Sequence, residues 1–326
     1  MSFRAVFVAA TVTVAVAFSP TARAEKWDMP VAYPESNYHT QNAKQFADEV
    51  RKATNGKIDI VVHPSGSLFK GNDIKRAVQT GQAPIGERLL SAHQNENVLF
   101  GFDSIPFLAT SFEDSERLSA AARPVLEKIL NQQNLVVLYT APWPPQGIYT
   151  KKDVNSAADM KGVKIRAYNP ATQRIAELLG GVAVQIEEAE LSQALATGVV
   201  ESFFSSGATG YDRKVWEQLS RFYQANAWLP RNFVFVNKDV WQKLDKATQD
   251  AIMAAAKAAE QRGLAMAKEY NNMTLKGLAD NGMKVQPPSE QLRADLAKIG
   301  ETMAQEWLQK AGANGKAIVD AYKSGK

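Results

Sequence analysis

The stretch after Leu244-Asp245 constrains this chain more than any other. Residues 246–280, KATQDAIMAAAKAAEQRGLAMAKEYNNMTLKGLAD, contain no proline, follow an aspartate suited to cap a helix, and end at the helix-stop pair Asn281-Gly282. At ~1.5 Å per residue the predicted helix is roughly 50 Å long, more than one small domain is wide. The helix is therefore expected to cross between two lobes. Its interior Gly263 leaves three readings open: a kink, a close contact or a tolerated surface glycine.

The rest of the chain supplies α/β lobes for such a helix to join. An extended segment WDMPVAY precedes a helix over about His39 to Thr54, then the β-branched IDIVVHP and a Gly/Ser turn. Helices follow near Asp73 to Thr80 and Glu113 to Gln132, then a strand at 135–140, a short strand around 163–167, helices at 170–179 and 188–197, and a strand at 199–204. This alternation predicts helices covering mostly parallel strands. With 326 residues there is chain enough for two domains, and no linker or repeat separates them, so two lobes have to be interleaved.

The beginning of the chain reads as an export signal. Arg4 precedes the apolar run VFVAATVTVAVAF, and Ala22 and Ala24 supply the small residues of a cleavage site, so residues 1–24 are expected to be a signal peptide cut after Ala24. The run is shorter than the ~20 residues of a spanning helix. There is no cysteine, hence neither a disulfide frame nor a lipid-anchor cysteine. Without Arg4 and Arg23 the formal charge of +4 falls to about +2, too little to argue for nucleic acid or a membrane surface as partner.

No signature of covalent or metal chemistry stands out. His39, His63 and His93 are scattered without ligand spacing, and the nucleophile-elbow, P-loop and dinucleotide motifs are absent. Glu187, Glu188 and Glu190 open a predicted helix, where carboxylates suit the positive end of the dipole. What remains is a binding pattern. In GVKIRAYNP, residues 162–170, Arg166 falls near the C-terminal end of a strand, and Asn169 and Pro170 supply the cap and first residue of the next helix. Strand ends and helix amides in α/β sheets attract anions, so a carboxylate ligand is one reading of Arg166. A structural ion pair or a solvent-facing arginine is the other. In APWPPQGIY, residues 141–149, Trp143 and three prolines form a stiff connection, either a ligand wall or a packed lobe junction.

Four segments in order carry a family resemblance: FADEVRKATNGKIDIVVHPSGSL (46–68), FDSIPFLAT (102–110), AADMKGVKIRAYNPAT (157–172) and ALATGVVESFFSS (194–206). Over essentially the whole mature chain the sequence resembles the periplasmic solute-binding proteins of TRAP transporters. The resemblance implies an α/β, two-lobe periplasmic binding protein fold of type II-like character, with crossing hinge strands and the long helix spanning both lobes. Lobe I would comprise 25–143 plus 231–271, and lobe II 144–230 plus 272–326. It implies a receptor that closes on a carboxylate and delivers it to TRAP permease membrane subunits, a periplasmic location, a monomer, and no cofactor or metal.

In that resemblance Arg166 matches the arginine that holds the ligand carboxylate. Glu87 falls where members have a polar cleft residue, and Ser205 or Ser206 where they often have asparagine. Some members carry a further arginine where this chain has Gln146. That departure favours a monocarboxylate, such as an aromatic or 2-oxo/2-hydroxy acid, over a dicarboxylate or sialic acid, with Gln146 as hydrogen-bonding group and Trp143, Tyr149, Tyr168 and Phe107 as apolar walls. Two rival readings are a sensor subunit and an exported enzyme using Glu87 or Glu188 as base.

Overall fold

The computed structural model describes residues 24–325, so the expected signal peptide, apart from Ala24, lies outside the described residues. The first sheet begins with β1 (Glu25–Pro30) parallel to β2 (Ile58–His63), joined by α1 (Tyr38–Ala53). A bridge from Val31 to Glu87 carries β1 alongside β3 (Ile85–Leu89), which follows α2 (Gly71–Gln79). After α3 (Phe112–Gln132) comes β4 (Leu135–Pro142).

The second sheet contains β5 (Gly147–Thr150), β6 (Lys164–Ala167), β7 (Val182–Gln185), β8 (Ser202–Ser205) and β9 (Arg221–Tyr223), with α4 (Pro170–Leu178), α5 (Leu191–Ala196) and α6 (Gly207–Asp212) between them. The chain then returns to the first sheet as β10 (Arg231–Asn237), antiparallel between β3 and β4. After α7 (Lys238–Gln242) and α8 (Lys246–Asp280), β11 (Lys284–Gln286) pairs with β9, and α9 (Glu290–Ser324) ends the chain.

The sheets are mixed rather than mostly parallel. β5 runs antiparallel to both β8 and β9, as β10 does to β3 and β4. The cause is the interleaving itself: one crossing between lobes leads out and the next leads back, so the strands flanking them oppose. The crossings are tied to each other by backbone hydrogen bonds, Trp143 N–H to Pro230 O at 2.7 Å and Gln146 N–H to Trp228 O at 2.9 Å. The stiff APWPP segment is thus one strand of a two-stranded hinge.

Helix α8 is the third crossing and spans the residues expected of it, with Asp245 accepting from Thr248 N–H as its cap. Its first half lies on the first lobe, where Asn42 donates to Ala259 O at 2.9 Å and Arg262 pairs with Glu49. A Cβ on Gly263 would stand 2.9 Å from Cβ of Ala141 and 3.0 Å from Nδ2 of Asn42, so this glycine marks a close contact. The second half lies on α6, where Tyr270 bonds Asp212 and a Cβ on Gly277 would strike the Tyr211 ring at 2.3 Å.

The C-terminal segment departs from the expectation that 272–326 stays with lobe II. Early in α9, Asp295 accepts from Ala157 N–H and Glu306 pairs with Arg174, both on the second lobe. At Gly312 the backbone leaves the helix with φ +58°, a conformation that favours glycine, and the chain turns back. Beyond it Ile318 and Val319 join the apolar cluster of Leu118 and Leu126, and Tyr322 donates to Leu108 O at 3.0 Å. Covering the apolar face of α3 draws the end of the chain to the first lobe.

Candidate functional site

The site grows from a local signal that the sequence carries fully. The Asn169 side chain accepts from Thr172 N–H at 2.8 Å, Thr172 reciprocates, and Pro170 takes the first helical position, so α4 starts abruptly just past the end of β6. This fixes Arg166, whose side chain projects into the cleft between lobes and is 2% exposed. Its Nε donates to Ile186 O at 3.0 Å, and the guanidinium lies 5.1 Å from the centre of the Tyr168 ring. Among the described residues, neither terminal nitrogen takes a hydrogen bond and no carboxylate comes within 4.0 Å. Burial pulls its pKa down, a loss that Glu188, Tyr168 and Glu187 partly offset.

Around Arg166 the two lobes leave a small cleft that opens to solvent. Trp143, Gln146, Tyr168 and Ser205 line it with Arg166. Gln146 is already engaged: it donates to Pro144 O at 2.9 Å and accepts from the Tyr168 hydroxyl at 3.2 Å, which in turn accepts from the Trp228 indole at 3.2 Å. Its amide thus orients Tyr168 as well as facing the cleft. Burial pushes the Tyr168 hydroxyl well above its ordinary pKa, so it stays protonated.

Four of the residues read from the sequence lie elsewhere than on the cleft wall. Tyr149 belongs to the core of the second lobe, stacked 4.3 Å from Phe203, because both faces of β5 are covered. Its hydroxyl donates to Ser206 O at 2.8 Å, and Ser206 is itself fully buried behind Ser205. Phe107, at φ +63°, packs where a Cβ on Gly300 of α9 would touch its ring at 2.9 Å. Glu87 is buried behind the wall, 3.0 Å from Nδ1 of His39, and accepts from Asn232 at 2.9 Å. Asn232 in turn accepts from the Trp143 indole at 2.8 Å and the Tyr33 hydroxyl at 3.2 Å, so Glu87 acts on the site only through these aromatics.

The cleft also contains residues that the sequence reading passed over. Arg88, one position beyond Glu87 and so on the other face of β3, lines it together with Tyr33, Thr209 and Glu187. The signal was the adjacent Glu-Arg pair of IGERLL, in which alternation presents only one member to a given face. The glutamate cluster also differs from its expected role of serving its own helix. Glu188 forks onto Arg213, whereas Glu187 crosses the cleft and accepts from Asn72 N–H, in the first turn of α2, at 3.0 Å. With Asn37 donating to Asp212 at 2.7 Å and Asn169 to Ser91 at 2.9 Å, these bonds hold the lobes closed on each other.

A buried guanidinium between two lobes, with no carboxylate within 4.0 Å among the described residues, is suited to hold an anion. Residues 31–311 match the family described as bacterial extracellular solute-binding protein, family 7. The chain belongs to that family. It shares 53% identity with a marine-metagenome TRAP solute-binding protein crystallised with co-purified pyroglutamate, covering 93% of this chain and 99% of that one with a TM-score of 0.92. A Bordetella pertussis extracytoplasmic solute receptor binding pyroglutamic acid is 46% identical, covering 92% of this chain and all of that one, TM-score 0.91. A monocarboxylate 2-oxoacid-binding periplasmic protein of Nostoc sp. is 25% identical over 306 residues, 92% of this chain and 83% of its own.

This chain is accordingly a TRAP solute-binding receptor, not an enzyme, with the two-lobe α/β fold of its relatives. Its relatives are periplasmic and TRAP receptors for small organic acids. Among the described residues no helix is long and apolar enough to cross a membrane, and no group of His, Asp and Glu is placed to hold a metal ion.

Proposed function

We propose that the receptor captures a small monocarboxylate with a compact ring or 2-oxo group, and that pyroglutamate is its ligand. The observation that carries this is Arg166: a buried guanidinium in a closed cleft whose terminal nitrogens have no partner among the described residues. A buried charge is costly unless it is paired, and a ligand carboxylate held by two parallel N–H bonds supplies the pair. The short flat ring of pyroglutamate suits the space between Trp143 and Tyr168, and the Ser205 and Thr209 hydroxyls suit its lactam group. The relatives with co-purified or bound pyroglutamate, at 53% and 46% identity over nearly the whole chain, support the same choice.

The ligand enters between open lobes, its carboxylate docks on Arg166, and closure about the paired crossings excludes water and strengthens that ion pair. The contacts that hold the lobes together then give the permease a surface the open form lacks. The same reading carries cleavage after Ala24, action as a monomer, and lobe boundaries at 143/144, 230/231 and 271/272, with the end of α9 returned to the first lobe.

The test is a thermal-shift and calorimetric comparison on protein unfolded, stripped of ligand and refolded. Pyroglutamate is expected to raise Tm strongly, since a ligand at a hundred times its Kd adds about 2.7 kcal/mol of stability. Short 2-oxo acids should follow, and malate and sialic acid should do little. Stabilisation by malate but by no monocarboxylate would overturn the reading.

A further inference from the structure

The cleft contains two arginines, and their charges are met differently. Arg166 has no carboxylate within 4.0 Å among the described residues, whereas Arg88 lies 3.7 Å from the Glu187 carboxylate. The remaining cleft glutamate, Glu188, is taken by Arg213. The protein thus supplies an anion to one cleft arginine and leaves the other for the ligand.

The arrangement around Glu187 is built. One of its oxygens accepts from Asn72 N–H at 3.0 Å at the positive end of α2, and the other faces Arg88, whose guanidinium also bonds the Asn72 side chain. Gly71 makes room for it: a Cβ there would stand 2.7 Å from Nη1 of Arg88 and 2.8 Å from the Glu187 carboxylate. Arg88 is 4% exposed, and its Nε has no partner among the described residues, so the guanidinium retains capacity for another acceptor. Glu187 comes from the loop after β7 in the second lobe and Arg88 from β3 in the first, so the pair joins the two lobes across the cleft.

We infer that Glu187 is a specificity-determining residue, a built-in carboxylate that occupies Arg88 on closure and so restricts the receptor to ligands bearing one carboxylate. A dicarboxylate spanning the cleft would bring its second negative charge against Glu187 and compete with it for Arg88, and repulsion of a desolvated like charge is an effective means of rejection. A neutral lactam or 2-oxo group meets no such penalty. The inference rests on the monocarboxylate reading above and names the residue that enforces it.

The test measures Kd by calorimetry for pyroglutamate and for glutarate, a dicarboxylate of the same five-carbon length. The proteins are the wild type, Glu187→Gln and Glu187→Gln with Arg88→Gln, each confirmed folded by circular dichroism. Glutamine keeps an acceptor for Asn72 N–H and removes the charge. The ratio of glutarate Kd to pyroglutamate Kd is expected to fall at least tenfold in Glu187→Gln and to recover in the double variant, which lacks the freed cation. A ratio unchanged in Glu187→Gln, or a gain for glutarate that survives loss of Arg88, overturns the inference and leaves the monocarboxylate reading standing. A wild-type protein that binds glutarate as tightly as pyroglutamate overturns both.

Discussion

The C-terminal end of β6 and the N-terminal end of β10 each bury an arginine, and each arginine has its pKa drawn down by loss of water. At β10, Arg231 is 1% exposed but anchored: its guanidinium pairs with Glu116 of α3 and donates to Ser115 O at 3.3 Å, while its backbone N–H donates to Asp103 at 2.8 Å. At β6, Arg166 is as deeply buried and has one backbone carbonyl and one aromatic face. Burial therefore does not separate a structural arginine from a ligand-binding one; the company of its terminal nitrogens does. Arg231 ties the returning strand to the first lobe, whereas the terminal nitrogens of Arg166 have no partner among the described residues.

Substitution separates the two roles. Arg166→Ala is expected to weaken pyroglutamate binding by about 2 to 5 kcal/mol, roughly 30- to 5,000-fold in Kd by calorimetry. The urea midpoint of the ligand-free protein should stay or rise, because an unpaired buried charge has been removed. Arg231→Ala should show the opposite pattern: a loss of roughly 2 to 4 kcal/mol of stability in urea as Glu116 and Ser115 lose their partner, with a smaller change in Kd. If Arg166→Ala lowers the urea midpoint and leaves Kd unchanged, the contrast between the two strand ends is wrong.

The sequence made one side of this contrast legible and hid the other. Asp245 and Asn169-Pro170 fix helix starts through bonds to residues three positions away, so the ends of α8 and α4, and with them the place of Arg166, could be read locally. The proline-stiffened segment around Trp143 leaves a ligand wall and a packed lobe junction open, and Gln146 is singled out only through the family resemblance. Glu187 bonds a residue 115 positions away in the other lobe, and no local pattern encodes that. Glu87 and Arg88 sit on a strand buried on both faces, where alternation says that they differ in direction but not which of them faces the ligand. Tyr149 failed for the same reason: an aromatic on a doubly covered strand looks alike in a core and in a cleft wall. The return of α9 hinges on Gly312, which in sequence is one glycine of the run AGANG.

The contrast also extends to pH. Asp103, the carboxylate that receives the Arg231 N–H, has its pKa pushed up from 3.8 to about 7 by burial, against the opposing pull of that N–H, the Ser104 hydroxyl and the Arg231 charge. A carboxyl raised in the folded state keeps its proton between about pH 4 and 7 while the unfolded chain releases it. The stability it confers is complete below pH 4 and is lost as pH rises through 7. Asparagine accepts the same N–H and carries no charge, so Asp103→Asn should gain on the wild type as pH rises across this window, by no more than about 1.4 kcal/mol per pH unit. Urea midpoints of the two proteins between pH 4.5 and 7.5, about the range in which this carboxyl titrates, provide the measurement. A constant gap would mean that Arg231 keeps Asp103 ionised throughout. The β10 arginine would then be doubly paired, and the difference between it and Arg166 larger still.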